Sequence, residues 1–446
     1  MLKKTCYILS ALGLGLSVSC ATPPGPDIRA AAGLADAVQF RTESLPTDAP
    51  PIGNALDLPA AIERAVRQSP TLQAALADVR VAQADARQSR LLPNPVLSVV
   101  FRYPKGGGSP VTETGLTADL AATLQMPRRN RAADNQLRAA SAQAIAAALD
   151  VIADTEKTYH TANALRQEVA LLGQDAGHVD RLLQIARHRF DAGEATRLDV
   201  ATLEARQSET RIDLQERRLK LVREQLTLAR LLGQPSRDTD LQLTTPLPVA
   251  APTLPEADWL AAALHNRPEI QADRWQLAAL EDGRALARLA LLESTAAGLD
   301  TEREGDWSLG PSLTVPLPLF DWGQARRAKA RALAIGARHR LTQTVRRTVQ
   351  EVRQAHAAQA KLAAAAAQAR EQLTPLQQQR VDLARAVYES GQSGITPLLL
   401  AELDLQKARL RSVQLELRAA VAAIELRRAS GGDVVSFNIK TTTQKQ

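Results

Sequence analysis

Hydrophobic positions recur along this chain with two different periods, and the two alternate. Over 96–103, Leu97, Val99, Phe101 and Tyr103 share one face while Ser98 and Arg102 share the other. Over 113–125, Leu116, Ala118, Leu120, Ala122 and Leu124 oppose Glu113, Gly115, Thr117, Asp119, Thr123 and Gln125. A period of two predicts strands, with PKGGGSP (104–110) as their connecting loop. Elsewhere the period is helical. Residues 57–92 read as helix with a break near Pro70, and 126–189 hold no proline after Pro127. That second stretch predicts a helix of roughly 63 residues, or ~95 Å at the α-helical rise, which no compact domain can hold. After Gly193 another helix runs to about Leu232. It carries one heptad series at Leu198, Ala205, Ile212, Leu219 and Leu226 and another at Val200, Leu214, Leu221 and Leu228. Two apolar seams on one helix predict helical neighbours on both sides.

The same order of elements occurs a second time. AVRQSPTLQA (65–74) matches ALHNRPEIQA (263–272), each with a proline entering a helix, and LQMPRRNR (124–131) parallels LPLFDWGQ (317–324). RFDAGEATRLDVATLEA (189–205) stands beside VYESGQSGITPLLLAELDL (387–405), aligning Phe190 with Tyr388 and Gly193 with Gly391, then Leu203 with Leu403 across a two-residue insertion. The second half predicts helices over 259–292, 323–389 and 396–428. Its strand at 307–319 sets Trp307, Leu309, Leu313, Val315, Leu317 and Leu319 against Ser308, Gly310, Ser312 and Thr314, and a weaker strand lies near 294–301. A period near 200 residues is a duplicated domain, not a solenoid.

Composition sharpens this picture. Only 3% of residues are aromatic against 45% hydrophobic, so Ala, Leu, Val and Ile must supply the burial, as in closely packed helices. Basic and acidic residues number 55 and 48 and are interspersed. Clusters such as Arg128, Arg129 and Arg131 lack the nearby rings of a nucleic-acid surface. The N-terminus, MLKKTCYILSALGLGLSVSC, has a basic start, an apolar stretch and small residues before Cys20. It reads as an export signal. Cut after Ser19, it would leave Cys20 as the first mature residue and the only mature cysteine; the alternative is an ordinary signal cut near Ala21. Beyond it no run approaches the ~18 apolar residues of a spanning helix, so any membrane crossing falls to the strands. Alternation over about ten residues is the pattern of a transmembrane β-barrel strand. Four such strands cannot close a barrel, and open edges cannot be left in lipid, so spanning would require oligomerisation.

Taken together, the duplicated order, LLPNPVLSV (91–99), PLPLFDWGQARRAKA (316–330) and the paired tip motifs resemble the TolC-like outer-membrane efflux proteins, in their lipoprotein branch, over about residues 56–430. The wording of these motifs is similar to that of the heavy-metal efflux subfamily. The resemblance implies a mainly α fold with a transmembrane β component, built of duplicated α-β-β-α halves. Three chains would form a homotrimer with a twelve-stranded β-barrel continuous with a long α-helical periplasmic barrel. It implies an exit duct of a tripartite pump in the outer membrane, not an enzyme, with a periplasmic adaptor and an inner-membrane transporter, of RND type, as partners. Cys20 would be lipidated and anchor the chain. Adaptor contacts would fall on Phe190, Gly193, Thr196, Leu198, Asp199, Tyr388, Gly391, Ile395 and Thr396, and the periplasmic aperture on Asp199, Pro397 and Leu400. Where such ducts carry acidic rings after the second turn, this chain has Pro397 and Leu400, so an apolar ring is the expected constriction.

The domain partition that follows is 1–19 signal peptide, 20–55 lipidated extended tether, 56–235 first repeat, 236–254 linker, 255–430 second repeat and 431–446 flexible tail. The first repeat holds strands at about 95–104 and 112–125 and a tip turn at 190–196. The second holds strands at about 294–302 and 307–319 and a tip turn at 388–396. No cofactor, metal or nucleic acid is expected: the six histidines lack ligand spacing, and KGGG (105–108) lacks the residues that complete a phosphate loop. The competing account is a periplasmic coiled-coil lipoprotein, a scaffold or adaptor without a barrel, which leaves the period-two segments unused.

Overall fold

Each half of the chain folds as a short helix pair, a β-hairpin and two long helices. The computed structural model describes residues 40–51, 53, 55–103, 105–107, 110–236, 241–244, 254–289, 293–304 and 306–432. In the first half β1 (Ala55–Leu56) leads into α1 (Leu58–Gln68), α2 (Pro70–Gln88), β2 (Val96–Arg102), β3 (Val111–Asp119), α3 (Leu120–Asp191) and α4 (Arg197–Leu231). After β4 (Gln242–Leu243), the second half runs through α5 (Glu256–Asn266), α6 (Pro268–Arg288), β5 (Ala296–Glu304), β6 (Asp306–Thr314) and α7 (Gln324–Gln368). A π-helical turn over Ala369–Leu373 joins α7 to α8 (Thr374–Glu389), and α9 (Ile395–Ser430) closes the fold. Pro70 and Pro268 each occupy the first turn of a helix, where a missing N–H costs nothing.

The boundaries depart from the periodicity in places where chemistry overrides it. Strand β3 ends at Asp119 and not near 125, because Asp119 caps a helix: its Oδ1 accepts from the Ala122 N–H at 2.8 Å. Leu120 and Leu124 fit a helical i, i+4 pair as well as an alternation, so the pattern could not separate the two there. Strand β6 ends at Thr314 and not at 319, since Pro316 and Pro318 remove two N–H donors in succession. The helix expected over 259–292 breaks at Arg267, before Pro268. The one expected over 323–389 passes through the π-helical turn just before Pro375, a local widening that accommodates a ring with no N–H to give. The expected linker is partly strand: Gln242 and Leu243 pair in parallel with Ala55 and Leu56. Within the stretch expected as a tether, Ala49 packs on the fold: it is buried and its N–H donates to Gly233 O at 2.7 Å.

The four longer strands form one antiparallel sheet in the order β2-β3-β5-β6. Its register puts Leu97, Leu116, Leu299 and Pro311 in one row and Val99, Thr114, Thr301 and Leu309 in another of the same face. Rows on the opposite face carry Ser98, Gly115, Asp300 and Gly310, then Val100, Glu113, Glu302 and Ser308. One face is thus apolar and the other polar, and the apolar one is uncovered: Leu97, Leu309 and Leu313 are each about two-thirds exposed.

Below the sheet the helices pack side by side, α2-α3-α6-α7 nearest the strands and α4-α3-α9-α8 further away. Helix α3 spans 72 residues, or ~108 Å, and threads both layers. Its buried positions are dominated by Ala139, Ala142, Ala144, Ala148, Ala153, Ala162 and Ala164. Small side chains let the backbones approach, which explains how so few aromatics suffice. Where the layers meet, buried Tyr159 donates to Leu56 O at 2.8 Å and accepts from the Thr244 N–H at 3.0 Å, tying the β1–β4 pair to α3.

Candidate functional site

At the end of the molecule farthest from the sheet, two helical hairpins turn back in the same way. After α3, Gly193 adopts φ 80°, its N–H donates to Phe190 O at 2.9 Å, and the Glu194 N–H donates to Arg189 O at 2.8 Å. After α8, Gly391 adopts φ 74°, its N–H donates to Tyr388 O at 3.0 Å, and the Gln392 N–H donates to Val387 O at 3.2 Å. Both are Schellman turns, and both need a residue that tolerates the left-handed region. Three residues on, Thr196 and Gly394 cap the returning helices. Turn and cap are therefore in register, and the two-residue insertion expected from the sequence does not exist. In this register Asp199 corresponds to Pro397.

The cap chemistry separates the two tips. Thr196 Oγ1 accepts from the Asp199 N–H at 3.2 Å, while Asp199 Oδ2 accepts from Thr196 Oγ1 at 2.7 Å and from the Thr196 N–H at 2.9 Å. This reciprocal box holds the Asp199 carboxyl below the usual carboxylate range, chiefly through the Thr196 hydroxyl and then its backbone N–H. Gly394 offers no side-chain cap.

The expected site residues divide by burial. Leu198 is 74% exposed, and Phe190, Gly193, Thr196, Gly391, Thr396, Pro397 and Leu400 are exposed. Ile395 differs from expectation. It is buried with Leu183, Ala186, Val200 and Leu203, so it packs one hairpin on the other and offers no outer surface. Tyr388 is half-buried beside the same cluster and beside that of Val381, Leu398, Ala401 and Leu405.

Several side chains that the motifs did not single out join the hairpins. Arg189 donates from Nη1 to Tyr388 Oη at 2.8 Å, with its guanidinium carbon 5.3 Å from the ring centroid. Further up, Arg206 donates to Gln406 and stands 3.4 Å from the Asp175 carboxylate. Arg427 meets Glu156 at 2.6 Å and Lys157 meets Glu425 at 3.2 Å. A cavity of about 250 Å³ between the hairpins is lined by Asp175, His178, Arg385, Glu402, Gln406 and Arg409. Burial pushes the carboxyls of Asp175 and Glu402 up, against the pull of Arg206 and Arg385. The contacts of Arg189 with Tyr388, Arg206 with Gln406, Arg427 with Glu156 and Lys157 with Glu425 left no sequence signal, since each partner lies in the other repeat.

Seam positions also divide. On α4, Val200, Leu214 and Leu228 of one heptad series are buried, whereas Leu198, Ile212, Leu219 and Leu226 of the other are 43–74% exposed. Helix α8, at the opposite edge of the same layer, exposes Leu376 and Leu383. In the sheet the outer edges of β2 and β6 have no strand partner among the described residues. Among the described residues no group of His, Cys, Asp and Glu is arranged to hold a metal, and no helix is long and apolar enough to cross a membrane. Cys20 lies outside the described residues.

Comparison with known proteins converges on one description. A family model for the outer membrane efflux protein matches residues 61–234 and again 259–432. The pyoverdine export outer membrane protein OpmQ of Pseudomonas aeruginosa is 26% identical, over 84% of this chain and 85% of its own length. Protein CyaE of Bordetella pertussis is 29% identical over 94% of this chain and 95% of its own. Among solved structures, the CmeC outer membrane channel of Campylobacter jejuni superposes with a TM-score of 0.72 at 18% identity, covering 86% of this chain and 88% of that one. The outer membrane protein VceC of Vibrio cholerae gives 0.69 at 21% identity, covering 84% and 96%.

Proposed function

This chain belongs to the outer membrane efflux protein family, and from that premise we propose how it works as the exit duct of a tripartite efflux pump. The observation that carries the reading is a protomer with two open edges. Strands β2 and β6 have unpaired sides, and the helical layer ends in apolar seams on α4 and α8. Unpaired backbone groups in lipid are prohibitively costly, and a head-to-tail contact that closes on itself pairs both edges at once. Closing three copies joins β6 to β2 and α8 to α4 around an axis. The result is a twelve-stranded barrel, above the minimum of about eight, standing on a helical tunnel. The apolar sheet face then meets lipid, and the row of Glu113, Glu302 and Ser308 lines the lumen.

The duct performs no chemistry and supplies no energy; an inner-membrane transporter of the RND type does, through a periplasmic adaptor. The adaptor docks on the exposed tip residues Phe190, Leu198 and Thr396 and the surfaces around Gly193 and Gly391. Asp199, Pro397 and Leu400 surround the periplasmic aperture, with Asp199 held in its cap. Lipidation of Cys20 adds an anchor in the outer membrane, whose periplasmic side the helices face. The partition into two repeats joined by a linker serves this closure, each repeat supplying two strands and one hairpin.

The test is assembly and conductance. Detergent-solubilised mature protein is expected to run as a heat-modifiable trimer and to form pores in planar bilayers. Ile212→Asp with Leu219→Asp should leave a helical protomer that no longer assembles. A water-soluble monomer with helix alone would reject the duct in favour of a tethered coiled coil.

A further inference from the structure

Just below the sheet, the chain carries an apolar segment and then a basic one. After β6, Leu317, Leu319, Phe320 and Trp322 are 55–92% exposed, Phe320 the most. Helix α7 then begins, and its first eight residues bring Arg326, Arg327, Lys329 and Arg331. The first repeat has a shorter counterpart inside α3, where Leu124, 72% exposed, precedes Arg128, Arg129 and Arg131.

Carboxylates nearby do not neutralise this charge. Arg326 is matched by Glu293 and Asp321, and Asp282 stands 3.7–3.9 Å from Arg128 and Arg131. Arg327 donates to the Trp322 and Gly323 carbonyls, which leaves its charge uncompensated, and Arg129 likewise donates to the carbonyls of Ser89 and Leu91. Lys329 and Arg331 are exposed and, among the described residues, make no ion pair with a carboxylate. These seven cations are met by three carboxylates, Glu293, Asp321 and Asp282, which leaves four of their positive charges uncompensated per chain.

Depth fixes what the surplus meets. Strand β6 has nine residues, which span ~21 Å across a bilayer at a tilt near 45°, so the apolar segment lies at its lower boundary. Lys329 and Arg331 lie ~8–11 Å along α7 from its start, within reach of a headgroup layer ~5–8 Å thick on the flexible stems of such side chains.

We propose that this collar, resting on the outer-membrane reading above, binds anionic phospholipid headgroups of the periplasmic leaflet and seats the duct at a fixed height. The apolar residues enter the acyl boundary and the cations engage the phosphates, each adding about 1 kcal/mol, a factor of about five.

The test is competitive lipid retention by the full-length protein, purified in neutral detergent with equimolar phosphatidylglycerol and phosphatidylcholine and read by native mass spectrometry. The assembled protein should retain phosphatidylglycerol preferentially. Lys329→Gln with Arg331→Gln should lower that preference by about fivefold per charge, and high salt should reduce it further. Arg128→Gln with Arg131→Gln should lower it as well. Equal retention of the two lipids, an unchanged ratio in both variants, or displacement by inorganic phosphate would overturn the collar. So would loss of assembly in the Lys329/Arg331 variant, which would place those cations in a subunit seam. Equal retention by an intact heat-modifiable oligomer rejects the collar alone, whereas a lipid-free, water-soluble protein rejects the duct with it.

Discussion

Removing the contact between Arg189 and Tyr388 should loosen the aperture without unfolding the tip. Each hairpin is closed by its own backbone turn, and the glycine bonds at Gly193 and Gly391 do not involve the Arg189 side chain. What joins one tip to the other is the cluster around Ile395 together with the guanidinium–phenol contact. A hydrogen bond from a charged donor contributes about 1.5–3 kcal/mol, and a cation over a ring at an exposed site about 0.5–1 kcal/mol. With the Arg189 side chain 38% exposed, the lower figures apply, or about 2 kcal/mol per protomer. The ion pair with Glu194, at 3.6 Å on the surface, adds little. Two kcal/mol is a factor of about 30 in the balance between hairpins held together and apart. Arg189→Gln should therefore raise the open time of single pores in planar bilayers by at least tenfold. Tyr388→Phe keeps the ring and loses only the hydroxyl's share, about 1.5 kcal/mol, so its effect should be smaller, roughly half that of Arg189→Gln. In the double variant the effects should not add, because both changes remove one contact. An unchanged open time in Arg189→Gln, or full additivity in the double variant, would refute the role assigned to this pair.

Other perturbations test other levels of the fold. A Cβ placed on Gly298 would stand 2.3 Å from the Leu116 carbonyl oxygen and 2.7 Å from Thr117 Cγ2. Gly298→Ala should force β3 from β5 at a cost of about 1–3 kcal/mol and deplete the heat-resistant oligomer seen on gels. His160 is buried, and desolvation, with a smaller push from the Arg427 charge, lowers its pKa to about 4. Above pH 6.5 the folded and unfolded states are both neutral there. As the pH falls from 6.5 towards 4 only the unfolded state takes up the proton, so stability should decline by at most about 3 kcal/mol, and thermal denaturation of His160→Phe should show a flatter pH profile over that window. Thr196→Ala removes the hydroxyl that serves the Asp199 N–H and should cost about 1 kcal/mol. The loss should appear as faster hydrogen exchange confined to the first turn of α4, with pore formation retained.

The duplicated architecture was legible because it rests on signals that survive within a single element. Gly193 and Gly391 announce their turns because only a residue at ease with positive φ can occupy them, and Pro70 and Pro268 announce helix starts for an equally local reason. Boundaries failed where two local rules compete: Leu120 and Leu124 satisfy both periods, and the capping carboxylate of Asp119 settles the matter for the helix. The junction between the hairpins was illegible for a different reason. Arg189 finds Tyr388, Arg206 finds Gln406 and Glu156 finds Arg427 across the whole length of a repeat, and a long polar side chain on a helix looks the same in sequence whether it meets water or a distant partner. The burial of Ile395 was hidden on the same grounds, since a residue beside a tip turn reads as exposed until the other hairpin is laid against it. The heptad series carry the converse lesson. Both seams of α4 are equally apolar, yet the folded chain buries Val200, Leu214 and Leu228 and leaves Ile212, Leu219 and Leu226 in the open. A seam written into the sequence that the protomer leaves uncovered is a demand for another helix, and the uncovered seam of α8 at the far edge meets it when copies close head to tail. The unpaired edges of β2 and β6 make the same demand in the sheet, so one closure satisfies hydrogen bonds above and apolar burial below.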